Sequence, residues 1–337
     1  MTDTQRLGRH RQAPPEESRL AKGHHRTRLA AIIITAGVAV IIIVSSVLYI
    51  AGGPTRVHSA AQGSRLPAAA DSVIGVYSHD SPASYAGVTT FTTITRVKPN
   101  MVVYYSGWLE PFQAGFAATA AREGAGLLVQ MNPTHASVAA IVSGQYDTYL
   151  KTYAEAVRAY GHPVILSFGH EMNGNWYTWG YKHTSPAVFV AAWQHIVNVF
   201  RAQKVRNVTW LWTINAIHKQ NGVPAPGPWW PGSSYVNWIG IDGYYTSPSS
   251  VFASVFGPTI VYVRALTHDP ILITETSATP AADQPAKIAN LFAGIRLYGL
   301  LGFVWFDSVD KVDWRLSTPA AIAAFRHYAE TYRSDAS

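Results

Sequence analysis

The sequence predicts an α/β fold: a (β/α)8 TIM barrel preceded by a single N-terminal transmembrane helix. Three observations predict it. Eight short apolar runs rich in β-branched and aromatic residues recur after position 72, stretches with helical periodicity separate them, and one 23-residue apolar segment without charge lies near the amino terminus. With 48% hydrophobic and 13% charged residues in 337, the chain is far from the composition of a disordered one.

Residues 1–28 form a basic tail carrying Arg6, Arg9, Arg11, Arg19, Lys22, Arg26 and Arg28 against Asp3, Glu16 and Glu17. Leu29 to Ala51 follows; at about 1.5 Å rise per residue it spans a hydrocarbon core of roughly 30 Å. A cleaved signal peptide has a shorter apolar region, so a retained anchor is expected, with cleavage near Ser59-Ala60-Ala61 as the alternative. The cationic excess before the segment keeps the amino terminus cytoplasmic and puts the body outside. Residues 52–71, rich in small residues, read as a linker.

The formal charge of +7 is concentrated in this leader, because residues 72–337 hold 17 bases and 15 acids. A nearly neutral body offers no electrostatic footprint for nucleic acid, which is not expected as a partner. Absence of cysteine excludes thiolate catalysis, Cys-ligated zinc and a disulfide framework.

The expected strands are Ser72 to Ser78, Met101 to Trp108, Gly126 to Asn132, Pro163 to Gly169, Asn207 to Asn215, Trp238 to Tyr244, Pro270 to Thr276 and Gly299 to Phe306. Tyr146 to Tyr160, with Tyr149, Leu150, Tyr153 and Val157 three or four residues apart, and Ser185 to Gln203 are expected helices. Repeated strand and helix favour parallel pairing, and eight units in this length fit a closed barrel better than an open doubly wound sheet. No GxGxxG or GxxxxGK[ST] loop follows the first strand, which weakens a nucleotide-binding reading.

Barrel chemistry sits at the carboxyl ends of the strands. There the fourth run continues into HEMNGNWYTWG, the sixth into Asp242-Gly243-Tyr244-Tyr245, the seventh ends ITET and the eighth WFD. In a body poor in acids, Glu171 and Glu275 at strand ends suggest the acid and the carboxylate that glycosidic cleavage requires. Tryptophans and tyrosines nearby, among them Trp108, Trp176, Tyr177, Trp179, Trp210, Trp212, Tyr244 and Trp305, offer stacking faces for sugar rings, while core packing is the competing use of each. Trp193, inside a helical stretch, is expected to be structural. A zinc HExxH helix would need histidine at 174, where the chain has Gly174, so no metal or organic cofactor is expected.

The strings PVILSFGHEMNGNWYTWG, WTINA, YVNWIGIDGYY, ITET, WFD and DWR resemble glycoside hydrolase family 26, a β-mannanase-containing family of retaining barrel hydrolases, across approximately residues 72 to 330. The resemblance implies Glu171 as acid/base on strand four and Glu275 as nucleophile on strand seven. It further implies His170 positioning the acid, Tyr244 on the nucleophile, Trp176 and Trp305 as aromatic platforms either side of the cleavage point, and Asn215, Trp238 and Asp242 in polar or supporting places. Trp179 joins the candidate substrate-binding set. Many members carry an arginine shortly before the His-Glu pair; Ser167 stands here, which bears on substrate preference more than on catalysis. The implied partner is a β-linked polysaccharide, mannan favoured, with β-glucan, β-1,3-xylan or a self-made surface polymer as alternatives. A noncatalytic carbohydrate-binding surface protein is the rival from another class.

Overall fold

The computed structural model describes residues 73–217 and 222–334. The basic tail, the apolar segment Leu29 to Ala51 and the linker lie outside the described residues, and among those described no helix is long and apolar enough to cross a membrane.

Eight strands, β1 (Val73–Ser78), β2 (Met101–Ser106), β3 (Gly126–Met131), β4 (Val164–Phe168), β5 (Val208–Asn215), β6 (Trp238–Asp242), β7 (Ile271–Thr276) and β8 (Gly302–Asp307), pair in chain order and close into a barrel. All pairings are parallel, β1 against β8 included. The eight expected runs are these strands, with ends displaced by up to three residues. The expected helices are α4 (Asp147–Tyr160) and α5 (Pro186–Ala202). The latter begins where its sequence says it should: the Ser185 Oγ accepts from the Val188 N–H at 3.4 Å, and Pro186 occupies the first turn. The βα alternation is broken once among the described residues. Between β5 and β6 the described residues hold no α-helix, only the 3-10 segment Gly227–Trp229.

Side-chain alternation of period two sorts every strand into an inner and an outer face. Val73, Met101, Val103, Leu128, Ile165, Leu211, Trp238, Leu272 and Val304 fill the barrel floor as one buried cluster, so Trp238 is core rather than site. The outer faces pack on the helices in a second, larger cluster. Trp210 packs on Trp193 and Phe200, and Trp212 on Trp230; two residues apart on β5, both face outward. Trp193, as its helical setting suggested, is buried and gives its indole N–H to the Tyr235 carbonyl at 3.2 Å.

Above the apolar floor the interior becomes polar. The Ser167 Oγ donates to the Thr213 Oγ1 at 3.0 Å, the Gln130 amide reaches the same oxygen at 3.4 Å, and the Thr274 Oγ1 donates to the Asp242 Oδ1 at 2.5 Å. Gly240 makes room for this layer, since a Cβ there would stand 2.8 Å from the hydroxyls of both Thr213 and Thr274. Ser167 is therefore a buried member of the shelf beneath the rim, without the reach of an arginine.

Candidate active site

Glu171 follows β4 through a backbone reversal. Gly169 and Glu171 both lie in the left-handed region, at φ 56° and 55°, and a Cβ on Gly169 would meet the Phe189 ring at 2.8 Å. A glutamate held at positive φ is a local cost that surrounding contacts must hold in place. Its N–H donates to the Thr213 carbonyl at 3.0 Å, which ties the turn to β5. Its carboxylate accepts from the Trp176 indole N–H at 2.8 Å and from the Asn215 amide at 2.5 Å, and Asn215 stands at the end of β5.

Glu275 reaches the same cleft by a different device. Along β7 the inner positions are Leu272 and Thr274, so simple alternation would turn Glu275 outward. The register instead slips: Ile241 pairs with Ile273 and the next residue, Asp242, with Glu275, while on the other side Ile273 to Thr276 spans only Phe303 to Trp305. One extra residue in β7 makes a bulge that re-aims the strand end, so Thr274 and Glu275 both serve the interior. The two oxygens of Glu275 accept from two phenols, Oε1 from Tyr105 and Oε2 from Tyr244 at 2.7 Å.

Both glutamates are 7% exposed. Burial raises the Glu171 carboxyl to about 8, helped by the charge of Glu275 and opposed by the Asn215 and Trp176 hydrogen bonds. Burial also raises Glu275, against which the phenols of Tyr105 and Tyr244 act. Charge on Glu275 is felt at Glu171, Asp242, Tyr77, Tyr105, Tyr177 and Tyr244, so these groups share one electrostatic basin. Asp242, the register partner of Glu275 on β6, is pushed well above the carboxylate range by burial and by both glutamates. His170 is buried, its Nδ1 is 2.8 Å from the Asn132 Oδ1, and burial lowers it to about 3, which keeps the imidazole neutral.

Trp176 is 46% exposed over this cleft and, with Asn215 and Tyr244, lines a pocket of about 540 Å3. Two expected substrate-binding residues are corrected. Trp305 is 1% exposed and packs on Phe325 of α9 (Pro319–Ser334); Val304 and Phe306 are its inward neighbours, so strand parity turns Trp305 to the helix layer. Trp179 is 3% exposed, stacks on Tyr177 with ring centres 4.3 Å apart and donates to the His170 carbonyl at 2.9 Å, so it braces the β4 turn from behind. Trp108 is likewise buried, against Tyr146, Tyr149 and Phe168. Phe306 takes the inward place beside Tyr77 and Tyr244, at 4.8 and 5.9 Å between ring centres. Tyr77, Tyr105, Asn132 and Phe306 escaped the reading of the sequence, although all four fall on inward positions of β1, β2, β3 and β8 or their continuations. Near the β8 end Arg315 pairs with Asp313 at 2.7 Å, and Asp307 accepts the Leu316 N–H at 2.8 Å. Trp314 also packs on Tyr244, at 4.6 Å between rings. Among the described residues no cluster of three metal-ligating side chains occurs.

A closed parallel barrel whose fourth and seventh strands present buried carboxylates to one aromatic cleft has the arrangement that glycosidic cleavage requires. The family model described as "Glycosyl hydrolase family 26" matches residues 116–274, which takes in Glu171 and stops one position before Glu275. Endoglucanase H of Acetivibrio thermocellus is 29% identical over 270 residues, 75% of this chain and 30% of that protein. Mannan endo-1,4-beta-mannosidase A and B of Caldalkalibacillus mannanilyticus is 26% identical over 27% of this chain and 18% of its own length. The chain thus spans under a third of the curated relatives it matches. Among solved structures, the fold superimposes on Bacillus subtilis mannanase BCman with a TM-score of 0.56 at 19% identity, covering 77% of this chain and 84% of that one. It also superimposes on a modular endo-beta-1,4-mannanase from Cellulomonas fimi with a TM-score of 0.58 at 17% identity, over 71% and 64%. These matches bear out the resemblance and support a family 26, β-mannanase-like barrel.

Proposed function

We propose that the chain is an endo-acting glycoside hydrolase that cleaves β-linked polysaccharide, β-1,4-mannan favoured, by retaining double displacement. One observation carries the reading: two buried carboxyls share a cleft, and their surroundings assign them different protons. Glu171, pushed up to about 8 by burial and by its neighbour's charge, is the group that holds a proton at neutral pH. Glu275, with a phenol donating to each oxygen, is the one supported as carboxylate.

In this mechanism a Glu275 oxygen attacks the anomeric carbon and forms an ester bond. The glycosidic C–O bond breaks as the Glu171 proton passes to the leaving oxygen. Glu171, now carboxylate, takes a proton from water while that water displaces Glu275, which returns as carboxylate with net retention. Asn215 and Trp176 hold Glu171 in place through both halves, and the neutral His170 carries no charge that would compete for its proton.

A second substrate reading, β-glucan, is favoured by the match to Endoglucanase H, which extends over 270 residues. Reducing-sugar release from mannan, mixed-linkage β-glucan and β-1,3-xylan separates these. Glu275→Ala should remove turnover while the fold is kept, and azide should restore it with formation of the inverted glycosyl azide. Binding without release from any polymer, or a fully active Glu275→Ala enzyme, overturns the proposal. The apolar segment Leu29 to Ala51 and the cationic residues before it support anchoring with the barrel outside the membrane. Full-length protein in a cytosolic fraction would refute that placement.

A further inference from the structure

The barrel is nearly neutral as a whole, but its charges are sorted to its two ends. Parallel strands put every helix-to-strand connection at the amino-terminal end of the barrel, opposite the cleft. Under β2 to β5, four neighbours in the sheet, those connections and the helix ends that lead into them carry Arg96, Lys98, Arg122, Arg158, Lys204 and Arg206, all exposed, against one acid, Glu123. Acids gather at the cleft end, among them Asp80, Glu110, Asp147 and Asp310.

Helix polarity explains part of this sorting. A cation in a last turn is favoured by the free carbonyls there, and Arg158 in the last turn of α4 donates to the Gln203 carbonyl at 2.9 Å. It does not explain Arg96, Lys204 and Arg206, which lie past the ends of α1 (Ala86–Thr95) and α5. Arg96 and Lys204 each hold a left-handed φ of 58°, a place where glycine would relieve the backbone, and a long cation stands there instead. Among the described residues no hydrogen bond, ion pair or ring engages these three side chains, whereas Lys98 is paired with Glu123 at 3.0 Å. Their charge is directed outward.

The chain enters the barrel at this same end. Val73 opens β1 with its N–H on the Leu301 carbonyl at 2.8 Å, and the sequence before it runs back through residues 52–72 to the apolar segment that ends at Ala51. Fully extended, a stretch of that length reaches no more than roughly 75 Å. A barrel so tethered meets the bilayer at high effective concentration, and weak contacts then suffice. Each cation brought against an anionic leaflet adds roughly fivefold in partition, within a Debye length of about 8 Å. We propose that this basic end docks on anionic phospholipid headgroups of the membrane that holds the chain, which turns the cleft, at the other end of the barrel, toward polymer outside. The proposal rests on the anchored reading of the apolar segment.

Cysteine is absent, so one substituted cysteine carries one dye. Ala202→Cys, at the exposed end of α5, reports the basic end, and Lys311→Cys, exposed after β8, reports the cleft end. The full chain is reconstituted into vesicles of phosphatidylcholine, alone or with one-third phosphatidylglycerol, that carry a headgroup-linked acceptor. Energy transfer from position 202 should rise about twofold in the anionic vesicles while transfer from position 311 does not, and the rise should vanish near ~0.5 M salt. It should vanish also in Arg96→Gln/Lys204→Gln/Arg206→Gln, whose circular dichroism should match the wild type; if that variant does not fold, the salt response of the wild type decides. Equal transfer from position 202 in both vesicle types overturns the proposal. Equal transfer together with capture by soluble polyphosphate assigns the end to an acidic polymer and overturns it too. Protein that neutral vesicles fail to retain defeats the anchored reading instead. The basic end is then judged by flotation with anionic vesicles: wild type floating where the triple variant does not supports the docking face, and neither floating overturns it.

Discussion

The two carboxylates are equally buried, yet their surroundings differ in kind. Glu171 sits on a left-handed turn and is held by an indole and an amide N–H, groups that stay neutral and fixed through a proton cycle. Glu275 projects from a strand bulge and is held by two phenols. Hydrogen bonds to a carboxylate favour its charge in both places, so hydrogen-bond count does not separate them. Repulsion between the two carboxyls acts on both alike, and with burial it pushes Glu171 up to about 8, while the phenols of Tyr105 and Tyr244 oppose the rise of Glu275. The comparison teaches that two carboxyls buried to the same degree in one cleft are told apart by the kind of donor each one meets.

The largest test of that contrast is Glu171→Gln, which removes the proton but keeps the shape. Turnover of polymer should fall by about 10²–10⁴-fold, with far less loss on a substrate whose leaving group needs no protonation. In the wild type the acid must be protonated, so activity should decline as pH rises through about 8, where Glu171 loses its proton. A pH profile of kcat/KM from Glu171→Gln that kept the same alkaline fall would assign it to another group.

A smaller effect probes the other carboxylate. Tyr105→Phe leaves Glu275 one phenol, and the lost hydrogen bond favoured the charged form. The Glu275 carboxyl then rises, so the acidic limb of the kcat/KM profile moves to higher pH, and the rate at neutral pH drops by roughly tenfold. An unmoved acidic limb would break the assignment of Glu275 as the group that must be ionised. Smallest of the three, Trp176→Phe keeps a ring but removes the indole donor that lowers Glu171. The alkaline limb should move to higher pH while the acidic limb stays, with a loss of a fewfold at most in kcat/KM. Movement of both limbs together in either variant would mean that the carboxyls titrate as one inseparable pair.

Much of this was legible in the primary structure. Eight runs of β-branched and aromatic residues spaced for βα units imply a parallel sheet buried on both faces, and their number and the chain length favour its closure into a barrel. Carboxylates at the ends of the fourth and seventh runs then stand at the chemically useful rim. Tryptophans were harder to place. Trp176, Trp179 and Trp305 look alike as letters near a strand end, but one lies over the cleft, one braces a turn and one faces the helices. Strand parity alone could have exchanged Trp305 for Phe306 and singled out Tyr105, since both alternate with the barrel-floor residues Val304 and Val103. Parity would have failed at Glu275, where the β7 bulge reverses it. No letter in ITET announces a bulge, because it arises from closing β6, β7 and β8 in mutual register.

By itself, then, the order of residues determined the class of fold and put two glutamates at the carboxyl-terminal rim of the barrel, since periodicity and residue type are local properties of the chain. Only the tertiary structure decided which aromatic rings see the cleft, that a displaced register turns Glu275 toward Glu171, and that phenols from β2 and the β6 end meet on one carboxylate. Those are relations between segments 31 to 170 residues apart, set by barrel closure and carried by no local pattern.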